Sequence, residues 1–163
     1  MTSHKKNLLV TGGAGFIGSN FINYIYKKYP NYNIQLLDAL TYAGNLENIS
    51  NNLKSNGHFQ FSHGNVTQPD IVNQLVSDSD IVVHFAAESH VTRSIYDNSL
   101  FFETDVIGTQ VLANAIVNHP IERFIHISSS EVYGTALNSP MNEDHPLNPM
   151  SPYAAAKAGA DRL

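Results

Sequence analysis

The chain has 163 residues, enough for one domain with a buried core, and is 42% hydrophobic and 14% charged, as ordinary globular proteins are. A formal net charge of −5, with no basic run beyond Lys5-Lys6, argues against a nucleic-acid partner and reads that pair as a solvated tail. The absence of cysteine excludes disulfides and cysteine catalysis and leads us to expect a cytoplasmic protein. No apolar run approaches membrane-spanning length, so no membrane partner is expected.

Strand and helix patterns alternate along the chain. Met1 to Asn7 is polar and leads into a strand rather than a signal-peptide core. Asn7 to Thr11 is a short apolar run stopped by glycines, the mark of a strand buried on both faces. Gly15 to Lys28 places Phe16, Ile17, Phe21, Ile22 and Ile25 at helical spacing. Asn33 to Asp38 is the second strand, Asn45 to Leu53 a candidate helix, and His58 to Ser62 the third strand. Gln68 to Val76 reads as a helix with Pro69 in its first turn, and Ile81 to Phe85 as the fourth strand. One or more helices fill Ser94 to Asn118, followed by a fifth strand over Phe124 to Ser128 and a Pro- and Asn-rich loop over Gly134 to Pro149. Ser151-Pro152 opens a last helix, serine capping and proline at the first position. Repeated βαβ units predict an α/β fold: a Rossmann-like, doubly wound parallel sheet with helices on both faces. The sequence ends at Ala160-Asp161-Arg162-Leu163 inside a helical pattern, so we expect residues 1–163 to form a nucleotide-binding domain truncated before a substrate lobe.

Chemistry concentrates at two places. Thr11-Gly12-Gly13-Ala14-Gly15-Phe16-Ile17-Gly18 joins the first strand to the first helix and satisfies both a GxGxxG and a GxxGxxG spacing. Glycines there let backbone N–H groups approach a pyrophosphate at a helix N-terminus. Asp38 ends the second strand about twenty residues on, where a carboxylate accepts ribose hydroxyls. No Lys or Arg lies between Ala39 and Leu53 to welcome a 2′-phosphate, which favours NAD over NADP. At the other end, Tyr153 and Lys157 stand four apart on the last helix and share a face. A phenol is a poor base at neutral pH unless cations such as this ammonium stabilise its anion. Ser128-Ser129-Ser130-Glu131 ends the fifth strand, on the side of the sheet where ligands of such folds bind. His84, His90 and His126 have no metal-ligand spacing; we expect strand-end packing and no metal.

With these motifs the chain resembles the extended short-chain dehydrogenase/reductase superfamily of epimerases and dehydratases, and within it the dTDP-glucose 4,6-dehydratase family. The glycine turn and the Tyr-x-x-x-Lys pair mark the superfamily. Leu40-Thr41-Tyr42-Ala43-Gly44-Asn45-Leu46 and Ala86-Ala87-Glu88-Ser89-His90-Val91 are the more specific likenesses. The resemblance implies that Gly12, Gly15, Phe16, Ile17 and Gly18 meet the pyrophosphate of NAD. It assigns Asp38, Ala39, Leu40 and Thr41 to the adenosine and Asn65 and Val66 to the adenine. Phe85, Ala86, Ala87 and Thr104, with Tyr153 and Lys157, would line the rest of the cofactor. Ser89 would touch a nucleoside-diphosphate sugar, and Ser129 would hydrogen-bond its 4-hydroxyl. It also implies a homodimer, built through the long helices, in the full-length protein.

The family reaction begins with Tyr153 taking the 4-hydroxyl proton while NAD takes the C4 hydride. Glu131 then removes the C5 proton, water leaves from C6, and the hydride returns to C6. One departure matters. The family has Thr-Asp-Glu where this chain has Ser129, Ser130 and Glu131, so the acid that protonates the leaving hydroxyl is replaced by a serine. A Ser-Glu pair is similar to GDP-mannose 4,6-dehydratase and to UDP-glucuronate decarboxylase. Thr92 and Asn65 each replace a usual Asp, and Asp105 a usual Asn. A decarboxylase, a 4-epimerase and an NAD-binding fragment without activity therefore stay open beside a dehydratase.

Overall fold

Burial of the inner strands on both faces sets the architecture. The computed structural model describes residues 5–163; of the polar N-terminal stretch, Met1 to His4 lie outside the described residues. Five strands form one sheet: β1 (Asn7–Thr11), β2 (Asn33–Asp38), β3 (Phe59–His63), β4 (Ile81–His84) and β5 (Arg123–His126). Their spatial order is β3-β2-β1-β4-β5, and every neighbouring pair is parallel. Leu8, Leu9 and Val10 of β1 are all buried because the central strand is covered on both faces. Leu8 and Val10 join Ile34, Leu36 and Val83 against Ile22 of α1 (Phe16–Lys28). Leu9 points the other way, with Leu37 and Val82, onto α3 (Pro69–Ser77) and α6 (Gly108–Asn118). The expected doubly wound sheet is thus present. The strand order reverses between β1 and β4, and a crevice opens there at the carboxyl ends of the strands.

Several boundaries differ from expectation for local reasons. Asn45 to Leu53 is not one helix but a 3-10 turn, Leu46–Asn48, and a single-turn α2, Asn51–Lys54. Ile49 breaks it: the residue is extended (φ −87°, ψ 130°) so that its side chain, 1% exposed, drops into the core. Ser94 to Asn118 becomes α4 (Val91–Tyr96) and a second helix over Ser99–Asn118. Asp97 separates them, extended and with its carboxylate accepting the Ser99 N–H at 3.0 Å. The second helix runs through α5 (Ser99–Phe101), a π-helical turn (Phe102–Ile107) and α6. At 20 residues, with an 18-residue window of mean hydropathy 1.3, it is long and apolar enough to cross a membrane by length and composition, although it holds no unbroken apolar run. Charged and polar residues within it, Glu103 and Asp105 among them, break the apolar run that a reading of the bare sequence looks for. It packs on α3 and on α7 (Pro152–Ala160). The closing helical pattern stops at Ala160, with Asp161 as its cap. Lys6 is not simply solvated, since its ammonium pairs with Glu122.

Candidate active site

The glycine turn forms the floor of the crevice. Gly12 has φ +68°, and a Cβ on it would lie 2.4 Å from the backbone nitrogen of Ala86 at the end of β4. A Cβ on Gly18 would lie 2.5 Å from the Gly12 carbonyl, so helix and turn touch backbone to backbone. Gly15 caps α1 without a side-chain hydrogen bond, and the first turn of the helix carries no acidic residue. Its early N–H groups therefore have no side-chain partner among the described residues and are suited to an anion. Asp38 is 8% exposed and fixes the neighbouring loops: Oδ2 accepts the Ala14 N–H at 2.9 Å, and Oδ1 the Leu40 N–H at 2.8 Å. Each carboxylate oxygen keeps a second lone pair for a ligand hydroxyl.

A cleft of about 380 Å³ runs from this turn to α7. Of the glycine-turn residues, Gly12, Gly15, Phe16, Ile17 and Gly18 line it. So do Asp38, Ala39 and Thr41 beyond β2, and Asn65 and Val66 beyond β3. Phe85, Ala86, Ala87 and Ser89 line it beyond β4, as does Thr104 from the π-helical turn. Tyr153 and Lys157 close the far end. Leu40, Ser129, Ser130 and Glu131 are not on its wall. Leu40, at φ 49°, packs instead on the α1 side of the core. Ser129 caps a 3-10 turn, Ser130–Tyr133, its hydroxyl accepting the Glu131 N–H at 3.2 Å, while Ser130 and Glu131 are exposed. The cleft also uses Gly44, Gly64, Glu88 and Ser128, which the reading of the sequence did not select. Ser128 and Glu88 had a detectable signal, each standing inside a motif already quoted. So had Gly44, within the Leu40 to Leu46 stretch; Gly64 had none, because its N–H meets the Asp38 carbonyl (3.1 Å) only through the pairing of β2 with β3.

A hydrogen-bonded chain ties the cleft floor to the helices. The Ala86 N–H donates to Thr11 Oγ1 (3.3 Å), and Thr11 contacts His84 Nδ1 (2.6 Å). On the other side, His84 Nε2 lies 3.0 Å from Thr109 Oγ1, which donates to the Asp105 carbonyl at 2.6 Å. Thr109 has spent its only proton, so His84 must donate from Nε2 and accept at Nδ1. Complete burial, then the charges of His126 and Lys157, push its pKa well below the usual histidine range, in keeping with a neutral ring. His84 is thus a network residue rather than packing alone. His126 Nε2 lies 3.2 Å from Asp161 Oδ1, unaligned for a hydrogen bond. No group of His, Asp and Glu able to hold a metal occurs among the described residues.

Pro152 at the first position and Ser151, whose hydroxyl accepts the Ala154 N–H at 3.1 Å, start α7 and so place Tyr153 and Lys157. The Tyr153 N–H donates to Ser94 Oγ of α4 (3.1 Å), and its ring meets Phe101 edge-on. Lys157 is 3% exposed and donates from Nζ to the Ile127 carbonyl at 2.8 Å. Burial lowers its pKa, opposed first by the charge of Asp105 and then by that of Asp161. The Arg93 guanidinium lies 4.5 Å from the Tyr42 ring centre, bringing to that loop a cation which its own sequence lacks.

Residues 9–163 match the family model described as GDP-mannose 4,6 dehydratase. Over 157 residues the chain is 47% identical to the low-salt glycan biosynthesis protein Agl12 of Haloferax volcanii, covering 96% of this chain and 50% of that protein. Its fold is similar to DesIV, a dTDP-glucose 4,6-dehydratase from Streptomyces venezuelae solved with NAD and TYD bound. The TM-score is 0.89 at 44% identity, over 96% of this chain and 49% of that one. It is also similar to a UDP-N-acetylglucosamine 4-epimerase from Methanobrevibacter ruminantium, with a TM-score of 0.88 at 30% identity, over 97% of this chain and 49% of that one. The chain spans about half the length of the curated relatives it matches.

Proposed function

The chain belongs to the GDP-mannose 4,6 dehydratase family, and from that premise we propose that it forms the nucleotide-binding part of an NAD-dependent nucleotide-sugar 4,6-dehydratase. One observation carries the reading: the glycine turn, Asp38, Tyr153 and Lys157 line a single cleft at the point where the strand order reverses. The uncapped start of α1 and the close backbone approach at Gly12 and Gly18 suit a dinucleotide diphosphate, and Asp38 suits an unphosphorylated ribose. When bound, NAD would accept a hydride from C4 of the sugar and return it to C6.

The chain's own groups have distinct tasks. Tyr153 takes the proton of the 4-hydroxyl, with the Lys157 ammonium favouring its anionic form. Ser129 holds that hydroxyl in place, and Ser89 contacts the sugar nucleotide. Glu131 removes the C5 proton once C4 is a ketone, and Ser130 stands where the family resemblance implies an acid for the leaving hydroxyl. That serine, in a Ser-Glu pair similar both to GDP-mannose 4,6-dehydratase and to UDP-glucuronate decarboxylase, also supports a second reading, a decarboxylase or 4-epimerase that shares the first oxidation and needs no such acid.

The whole protein, incubated with NAD and in turn with dTDP-glucose, UDP-glucose, GDP-mannose and UDP-glucuronate, separates these readings by product mass. Loss of water is expected. Loss of carbon dioxide, or an altered sugar of unchanged mass, would replace the dehydratase reading with the second one. No product from any of the four would leave a binding-only domain. As a cytoplasmic homodimer the protein would meet these soluble substrates directly.

A further inference from the structure

The carboxyl of Asp105 takes no part in the proposed reaction, yet it is buried in a turn that packs against the helix carrying Lys157. It is 1% exposed, within the π-helical turn against which α7 packs. Oδ1 accepts the Glu88 N–H at 2.7 Å, and Oδ2 has no hydrogen-bond partner among the described residues. Its backbone carbonyl, through Thr109, His84 and Thr11, anchors the turn to the cleft floor. Lys157, equally buried, donates to a neutral carbonyl. An ammonium out of water needs a counter-charge, and contact with a neutral oxygen does not provide one. Two carboxylates are placed to act on it, Asp105 more strongly than Asp161. Asp161 is already engaged by the Ser128 hydroxyl at 2.6 Å and by His126.

We infer that Asp105 is a positioning residue: from the π-helical turn it supplies the counter-charge to the buried Lys157 ammonium, through space rather than by contact. The groups facing this pair are Glu88 beyond β4 with Arg93 of α4 beside it, His84 of β4, His126 of β5 and Asp161, the cap of α7. Burial pushes Asp105 up to about 7, with Glu88 adding to the rise and the Glu88 N–H and Lys157 opposing it. The counter-charge is therefore switched on as pH rises through neutrality. The consequence for turnover rests on Lys157 being the partner of Tyr153; the electrostatic link does not.

The test is a ligand-free NMR titration of the whole protein, following the Asp105 side-chain carbon and the Lys157 side-chain nitrogen in the parent and in Asp105→Asn. The amide keeps an oxygen for the Glu88 N–H and removes only the charge. Asp105 is expected to titrate near neutrality, with a step in the lysine signal at the same pH. Asp105→Asn is expected to lower the pH at which Lys157 loses its proton, and with it the alkaline limb of kcat/KM. An Asp105 that titrates in the ordinary carboxylate range overturns the proposal, as does a lysine titration unmoved by Asp105→Asn. If that variant does not fold, the parent decides: a Lys157 signal blind to the ionisation of Asp105 overturns it equally. A link that is seen in a protein without turnover supports the proposal and refutes the functional reading instead.

Discussion

Gly12 and Gly15 stand three apart in one turn but bear different constraints. Gly12 combines φ +68° with backbone atoms where its Cβ would go, whereas a Cβ on Gly15 meets its nearest neighbour, the Gly12 carbonyl, at 3.4 Å. Gly12→Ala should therefore destabilise by about 2 kcal/mol or more, and Gly15→Ala by well under half of that, when the two are compared by thermal melts without ligand. A second contrast concerns Asp105. Its pKa rises from 3.8 unfolded to about 7 folded, so its contribution to stability is full below about pH 4 and is lost as pH rises through 7. Asp105→Asn has no such titration. Its stability relative to the parent should climb between pH 4 and 8, by at most about 4 kcal/mol, in urea melts at the two pH values. His84 works in the other direction, its contribution being lost as pH falls below about 6.5, but it is common to both proteins and cancels in the comparison.

Among the elements, α7 matters most because its start decides where two reacting side chains lie. Ser151→Ala removes the oxygen that accepts the Ala154 N–H and should cost about 1 kcal/mol, with a fall in turnover larger than that in NAD affinity. Melting temperature and a kcat-against-Kd comparison check this. The cap was legible in the sequence, because Ser-Pro before a helical pattern has a local mechanism. The π-helical turn was not. Nothing in Phe102 to Ile107 announces it; only the folded chain shows its Asp105 tied to Glu88 and, through Thr109 of α6, to His84. Asn45 to Leu53 failed as a helix for a similar reason: burial of Ile49 outweighed the local preference.

For the molecule as a whole, the cleft described here belongs to a stretch about half as long as the relatives it matches. Ser130 and Glu131 are exposed and off the cleft wall, and Ser129 is occupied as a cap. The 163 residues alone are therefore expected to bind NAD, measurable by calorimetry, while converting none of the four sugar nucleotides to a product of different mass or stereochemistry. Turnover by this stretch alone would show that the substrate site is complete within it.

The sequence by itself determined the strands, the parallel doubly wound sheet, the glycine turn with Asp38 and the Tyr153–Lys157 helix. Each rests on short-range patterning: two-faced burial of β1, helical spacing in α1, and a four-residue separation on α7. Tertiary structure alone decided which loops meet across the crevice. It set Gly12 against Ala86, put Arg93 over Tyr42 and packed the turn of Asp105 against the helix of Lys157. Those pairs are far apart in the chain, and their proximity comes from sheet order and helix packing, which no local spacing encodes.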